Sequence, residues 1–198
     1  MKNIYLMRHG DTEATEKGYF AGWSDVPLSE RGKIRVKKAA PQLAKRKFRR
    51  IFTSPMARAL ETASLLFPDR EKLEVVPELK ERSFGAWEGK SWERLEGEEK
   101  DSINEWKNSP LSFTPPGGES FSQVLKRVTG FWKYLASLEE GDYLAVAHAG
   151  VMRCVLVHIT GISFENSFRW LIDPAAILHV RDDHIFPQVI ALWNVEVE

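Results

Sequence analysis

The sequence predicts an α/β protein built on a mainly parallel sheet covered by helices on both faces. Two observations predict it: short apolar runs that read as buried strands, and helix-period segments alternating with them. Asn3–Met7 is the first such run, cut off by Arg8-His9. A loop of Gly and turn formers follows from Gly10 to Pro27. Ser29 then opens a helix with Ile34, Val36, Ala39, Ala40 and Leu43 on its apolar side, and Pro41 is expected to kink it or end it early. Arg50–Thr53 reads as a second strand. Ser54-Pro55 offers a capping hydroxyl and a first-turn proline to a helix running through Ala59, Leu60, Ala63 and Leu66 to Pro68. Leu73–Val76 is a third strand. From Lys90 to Phe113 acidic and polar residues surround Trp92, Leu95, Ile103 and Trp106, which predicts a helical insertion lying over the sheet and closed by Pro115–Gly118. A helix over about Ser120–Leu138, the strand Tyr143–Ala147, a helix from Gly150 to Gly161 and strands near Ile177–Val180 and Val189–Trp193 complete the chain.

A length of 198 residues fits one domain over 1–198, with the insertion as a short lid at about 90–118. The 28 basic residues balance 28 acidic ones, so no long-range field draws nucleic acid or an anionic membrane, and neither partner is expected. The single cysteine, Cys154, excludes an internal disulfide and suits a reducing compartment. No signal peptide is recognised, and no run approaches the ~18 apolar residues of a membrane span. The expectation is a cytoplasmic, soluble protein; a homodimer stays open.

Some motif matches fail on spacing. Gly85–Ser91 resembles a phosphate-binding P-loop but has one residue too few between its glycines, and Gly118–Ser122 ends in Ser where a nucleophile elbow needs Gly. The histidines His9, His148, His158, His179 and His184 show no metal-ligand pair at helical spacing, so the pattern leaves a metal site open but gives it no support. The basic run Lys45–Arg50 suits a helix C-terminus.

The informative constellation is Arg8-His9-Gly10 at the end of the first strand and His148-Ala149-Gly150 at the end of the strand Tyr143–Ala147. In α/β folds ligands bind outside the carboxyl ends of the strands, so both imidazoles emerge at one edge. An arginine there is costly to desolvate unless an anion meets it, and a guanidinium matches phosphate. Arg58, one turn into its helix, adds a second cation near a helix N-terminus. This set suits phosphoryl transfer through a phosphohistidine, with the cations stabilising the equatorial oxygens. The leaving alkoxide needs a general acid, for which Glu81 is the candidate and Glu78 and Glu88 are rivals. Phosphate charge and nearby aromatic side chains are expected to make such a carboxyl hold its proton more firmly than in water.

Arg8–Thr12 with Gly22–Gly32, Thr53–Ala63, Glu81–Gly89 and Ala147–Gly150 together resemble, in order, the motifs of the histidine phosphatase superfamily, the phosphoglycerate mutase-like proteins. The resemblance implies a three-layer α/β/α sandwich with one antiparallel strand, and no metal or organic cofactor. It implies His9 as phosphate acceptor, Arg8, Arg58 and His148 as the phosphate pocket, and Glu81 as proton donor. Thr15, Gly22 and Ala149 complete the phosphate contacts, Thr15 standing where the family often carries Asn and expected to donate one hydrogen bond. Between Glu81 and His148 there is room for only a short lid, whose Glu93, Glu96, Glu98, Glu99 and Asp101 would disfavour a doubly anionic substrate. The expectation is therefore a phosphomonoesterase rather than a cofactor-dependent mutase or sugar bisphosphatase. Pro115–Ser120 is similar to a stretch of alpha-ribazole phosphatases and broad-specificity phosphatases, making alpha-ribazole 5'-phosphate or a range of small phosphomonoesters the expected substrate. A catalytically silent phosphate-binding module is the alternative of another class.

Overall fold

The first strand, β1 (Lys2–Arg8), is apolar on both sides of its pleat, so it must be covered on both faces. Ile4 and Leu6 enter one core, whereas Tyr5 and Met7 enter the other. The protein is described as a computed structural model over residues 1–69, 73–183 and 186–197. Its sheet adds β2 (Phe48–Thr53), β3 (Leu73–Val75), β4 (Gly141–Ala147), β5 (Ile177–Asp182) and β6 (Gln188–Trp193) in the order β3-β2-β4-β1-β5-β6. β5 runs antiparallel to both its neighbours, and the other strand pairs are parallel.

The helices are α1 (Glu13–Lys17), α2 (Glu30–Ala39), α3 (Ala57–Leu66), α4 (Trp92–Glu98), α5 (Lys100–Asn108), α6 (Phe121–Ser137) and α7 (Ala149–Thr160). On one face α6 and α7 bury Val124, Val128, Phe131, Leu135, Val151 and Val155; on the other α2 and α3 bury Val36, Ala39, Ala59 and Ala63. The three-layer sandwich expected from the sequence is the observed architecture. A third apolar cluster of Trp87, Leu95, Ile103 and Phe113 holds α4 and α5, so the insertion has a small core of its own.

Several local expectations need correction. The loop after Gly10 contains α1, because Thr12 and Thr15 form a reciprocal capping box and Gly18, at φ +71°, closes the C-terminus. Ile34 is 51% exposed rather than core-facing. Pro41 ends α2 as expected, in a 3-10 turn over Ala40–Gln42. α3 starts at Ala57, later than Ser54-Pro55 suggested, and neither residue caps it. Asp25 from the preceding loop accepts the Ala57 N–H instead, at 2.7 Å. The third strand stops at Val75. Arg49 and Arg50 of the basic run pair with Glu139 and Glu74. His184 lies outside the described residues. Among the described residues, no helix is long and apolar enough to cross a membrane.

What positions the site is the register of β1 on β4, where Arg8 lies opposite Ala147. His9 and His148 therefore leave the sheet side by side. Ser29 caps α2 by accepting the Gly32 N–H at 3.0 Å. Replacing Ser29 with Ala is expected to remove ~1 kcal/mol of stability, read as a lower urea midpoint with unchanged m and unchanged turnover.

Candidate active site

His9 follows β1 and is held at its backbone by N–H donation to Ala147 and by acceptance from Ala175, both at 3.0 Å. Its Nδ1 lies 2.7 Å from the Gly10 carbonyl. A carbonyl can only accept, so Nδ1 carries the proton and Nε2 keeps the lone pair. The Gly10 peptide is fixed in turn: its N–H donates to Thr62 Oγ1 at 3.2 Å, and that hydroxyl donates to the Arg58 carbonyl at 2.7 Å. The His148 ring stands edge-on to His9, with centroids 5.1 Å apart. Its Nε2 is 2.8 Å from Ser54 Oγ, whereas its buried Nδ1 has no partner.

Arg8 and Arg58 are only partly spent on protein acceptors. Arg8 donates Nη1 to the Ile172 carbonyl at 2.7 Å, and its buried Nε is unpartnered. Arg58, 1% exposed, donates Nη1 to the Ser24 carbonyl at 2.9 Å and Nη2 to those of Gly22 and Ala21, leaving Nε unpartnered. Unpaired buried polar groups are costly and rare. Of six such side-chain atoms among the described residues, three belong to Arg8, Arg58 and His148, and Arg8 and Arg58 line one cavity of about 170 Å³ with His9. His148 stands behind this cavity, its ring edge-on to the His9 ring that lines it.

Glu81 borders that cavity and a neighbouring one, also of about 170 Å³. Its Oε2 accepts the Gly150 N–H at 3.1 Å and its Oε1 the Arg82 N–H at 2.9 Å. With glycine at 150 the carboxyl lies close against α7; an added Cβ would fall 2.2 Å from Oε1 and push the carboxyl aside. The rivals are separated by geometry. Glu88 is consumed by the N–H groups of Gly22, Trp23, Ser24 and Phe84 and by the Ser24 hydroxyl. Burial works to raise the Glu88 pKa, but the hydrogen bonds from Ser24 and these amides outweigh it and hold the group below the usual carboxylate range. Glu78 is exposed and lines a separate groove of about 790 Å³ beside β3 and α6.

The remaining expected contacts fall out unequally. Thr15 lines the cavity of Arg8, His9 and Arg58, but its hydroxyl donates to the Thr12 carbonyl at 2.9 Å and accepts the Thr12 N–H at 2.8 Å. Gly22 gives its N–H to Glu88 and its carbonyl to Arg58, so it serves the site by holding that arginine. A Cβ there would lie 1.8 Å from the Arg82 carbonyl. Ala149, first residue of α7, lines the second cavity. Sequence reading missed Ser54 as a partner of His148, reading its hydroxyl as a helix cap. It also missed Thr62, Arg82 and Arg153, because nothing in the local pattern shows which distant backbone a hydroxyl meets or which cavity a side chain borders.

Electrostatics follow from burial. His9 is held well below the ordinary imidazole range by desolvation first and then by Arg8 and Arg58, against the Gly10 hydrogen bond. His148 moves the same way through burial, then Arg58, His9 and Arg8. Burial also pulls Arg8 down to about 10, which leaves it charged at neutral pH. The site therefore holds neutral imidazoles beside fixed cations.

The family model described as "Histidine phosphatase superfamily (branch 1)" matches residues 4–195. The chain belongs to that superfamily. A Hydrogenobacter thermophilus protein named "Putative phosphoserine phosphatase 2" is 36% identical over 91% of this chain and 90% of its own length. The adenosylcobalamin/alpha-ribazole phosphatase of Salmonella typhimurium is 31% identical over 79% of this chain and 78% of its own. The alpha-ribazole phosphatase structure from Shigella flexneri superposes with a TM-score of 0.88 at 27% identity, covering 99% of each chain. This histidine phosphatase is a phosphoric monoester hydrolase.

The depressed imidazoles couple the phosphatase's stability to pH. Above the unfolded pKa of ~6.5 both histidines are neutral folded or unfolded; below it the unfolded chain takes up protons that the native state refuses. Stability should therefore fall with falling pH, each histidine contributing up to about 1.4 kcal/mol per pH unit until its folded pKa is reached. His158 and His179 are lowered too, chiefly by burial, and add to this slope. Urea denaturation between pH 7.5 and 5 is expected to show a shallower decline for the His9→Gln/His148→Gln variant than for the parent.

Proposed function

We propose that His9 Nε2 attacks the phosphorus of a small phosphomonoester, forming a P–N bond as the ester P–O bond breaks. Glu81 gives its proton to the departing oxygen. Water then attacks the phosphohistidine, Glu81 takes a proton from it, and inorganic phosphate leaves. Arg8, Arg58 and the His148 Nδ1–H are the donors to the equatorial oxygens. The observation that carries this reading is the set of unpartnered buried nitrogens on those residues beside a histidine whose lone pair is fixed at Nε2. Preorganised donors in a dry site are worth most where charge develops. Ser54 supports it, since donation from its hydroxyl to His148 Nε2 leaves Nδ1–H for phosphate.

The second cavity is the room for the leaving group. Phe20, Phe84, Trp106, Phe121 and Phe168 line it. Its cation Arg153 is turned to the carbonyls of Ser167 and Trp170 and lies 4.6 Å from the Phe168 ring centroid. The lid cations Lys90 and Lys107 are paired with Glu99 and Glu96. Aromatic walls, an Arg153 already engaged by protein carbonyls and lid lysines already paired favour a flat or apolar leaving group over an anionic one. That supports alpha-ribazole 5'-phosphate, or a broad range of aromatic and alkyl phosphomonoesters, as substrate. The kinship with phosphoserine phosphatases supports a second reading. Its favouring observation is Arg82, whose buried Nη1 is unpartnered in this cavity and would suit a carboxylate.

Comparing kcat/KM for alpha-ribazole 5'-phosphate and phosphoserine tests the two readings, and release of inorganic phosphate rather than an isomerised phosphoglycerate tests hydrolysis against a mutase. Mixing with a labelled phosphomonoester should leave acid-labile, base-stable label on the enzyme and none on His9→Ala; an unlabelled parent enzyme would overturn the mechanism. Glu81→Gln should slow alkyl phosphates by ~10²–10⁴-fold while sparing nitrophenyl phosphate, whose leaving group needs no proton.

A further inference from the structure

The segment bearing Glu81 has little regular structure to hold it. A 3-10 turn over Pro77–Leu79 leads into residues 80–84, which belong to no strand or helix. Its carbonyls are instead gathered by one side chain. Arg127, on the well-buried helix α6, donates Nη1 to the carbonyls of Glu78 and Lys80 at 2.5 and 2.6 Å. It donates Nη2 to the carbonyl of Glu81 at 3.1 Å. The guanidinium is locked from the other side by Glu119, whose Oε1 accepts from Nε at 3.0 Å and Oε2 from Nη2 at 2.9 Å. All the N–H donors of the guanidinium are thereby used, in a fork that an ammonium cannot reproduce. Glu119 also ties the next residues through its own backbone: its N–H donates to the Ser83 carbonyl at 2.9 Å, and its carbonyl accepts Arg82 Nε at 2.5 Å.

We propose that the Glu119–Arg127 pair is a positioning device for the general acid, fixing the Glu81 backbone so that its carboxyl sits at the mouth of the phosphate cavity. This rests on the reading of Glu81 as proton donor. It also gives the stretch before α6, which the phosphate site does not use, a task in the reaction. Neither residue lines the cavity of His9 or its aromatic neighbour, so the pair acts through Glu81. Placement of an acid is demanding, and an error of an ångström costs ~10²-fold in rate.

The test is the dependence on leaving group in Arg127→Lys, which keeps the charge and loses the fork. Its kcat/KM for an alkyl phosphate should fall by ~10–100-fold, with nitrophenyl phosphate changed by less than ~3-fold. In a Glu81→Gln background the same substitution should cost alkyl phosphate turnover no more than ~2-fold further, because residues acting as a unit are not additive. Glu119→Gln, which keeps the side chain's size, should reproduce the pattern in weaker form and serves if Arg127→Lys does not accumulate as folded protein. Equal slowing of both substrates, no slowing of either, or full additivity with Glu81→Gln would overturn the positioning role. If Glu81→Gln itself slowed both substrates alike, the donor assignment would be the part that fails.

Discussion

Everything in this site depends on the parallel pairing of β1 with β4. That pairing puts Arg8 opposite Ala147 and releases the next residue of each strand, His9 and His148, at the same sheet edge. A slip of the pairing by one residue would turn every β1 side chain to the other face. The two cores then enforce the register, since Ile4 and Leu6 fill one and Tyr5 and Met7 the other. Packing of apolar side chains thus fixes the spacing of two polar ones.

The cost of the arrangement is electrostatic. Two guanidiniums and two imidazoles are gathered in a region where water is scarce, and several of their nitrogens are left unpaired. The fold tolerates this through carbonyls: Ile172 for Arg8, Ala21, Gly22 and Ser24 for Arg58, and Gly10 for His9. These acceptors hold the cations without neutralising them. The same logic recurs at Arg127 with Glu78, Lys80 and Glu81, although there Glu119 supplies the balancing charge. Among the residues lining the cavity of Arg8 and Arg58, Glu81 is the one carboxylate. Glu88 is spent on loop amides and Asp11 is paired with Arg35.

The hydroxyls of the Thr53–Ala63 region unite the layers. Ser54 bonds His148 and Thr62 bonds the Gly10 peptide, so α3 and its approach touch both histidines while Arg58 crosses to the loop after α1. This explains why a segment that reads as an ordinary helix start carries so much of the site. Its capping is supplied by Asp25 from outside, which frees Ser54 for the imidazole.

Local chemistry was legible in the chain itself. Apolar runs ending in Arg8-His9 and in His148 announced strands with reactive ends, helix periods announced the layers, and ordered motifs announced the superfamily. These are readable because period and charge are properties of neighbours in sequence. Spacing alone did not separate Glu81 from Glu78 and Glu88, although the motif resemblance favoured Glu81, because the three differ in where the fold carries them. Thr15 looked available as a donor until the capping box of α1 claimed its hydroxyl. Ser54 looked like a cap until His148, 94 residues away, met its hydroxyl, and Arg127 gave no signal at all of its partners 46 to 49 residues away. Such assignments belong to tertiary structure because a hydrogen bond depends on distance in space, and only packing decides which distant groups come within 3 Å.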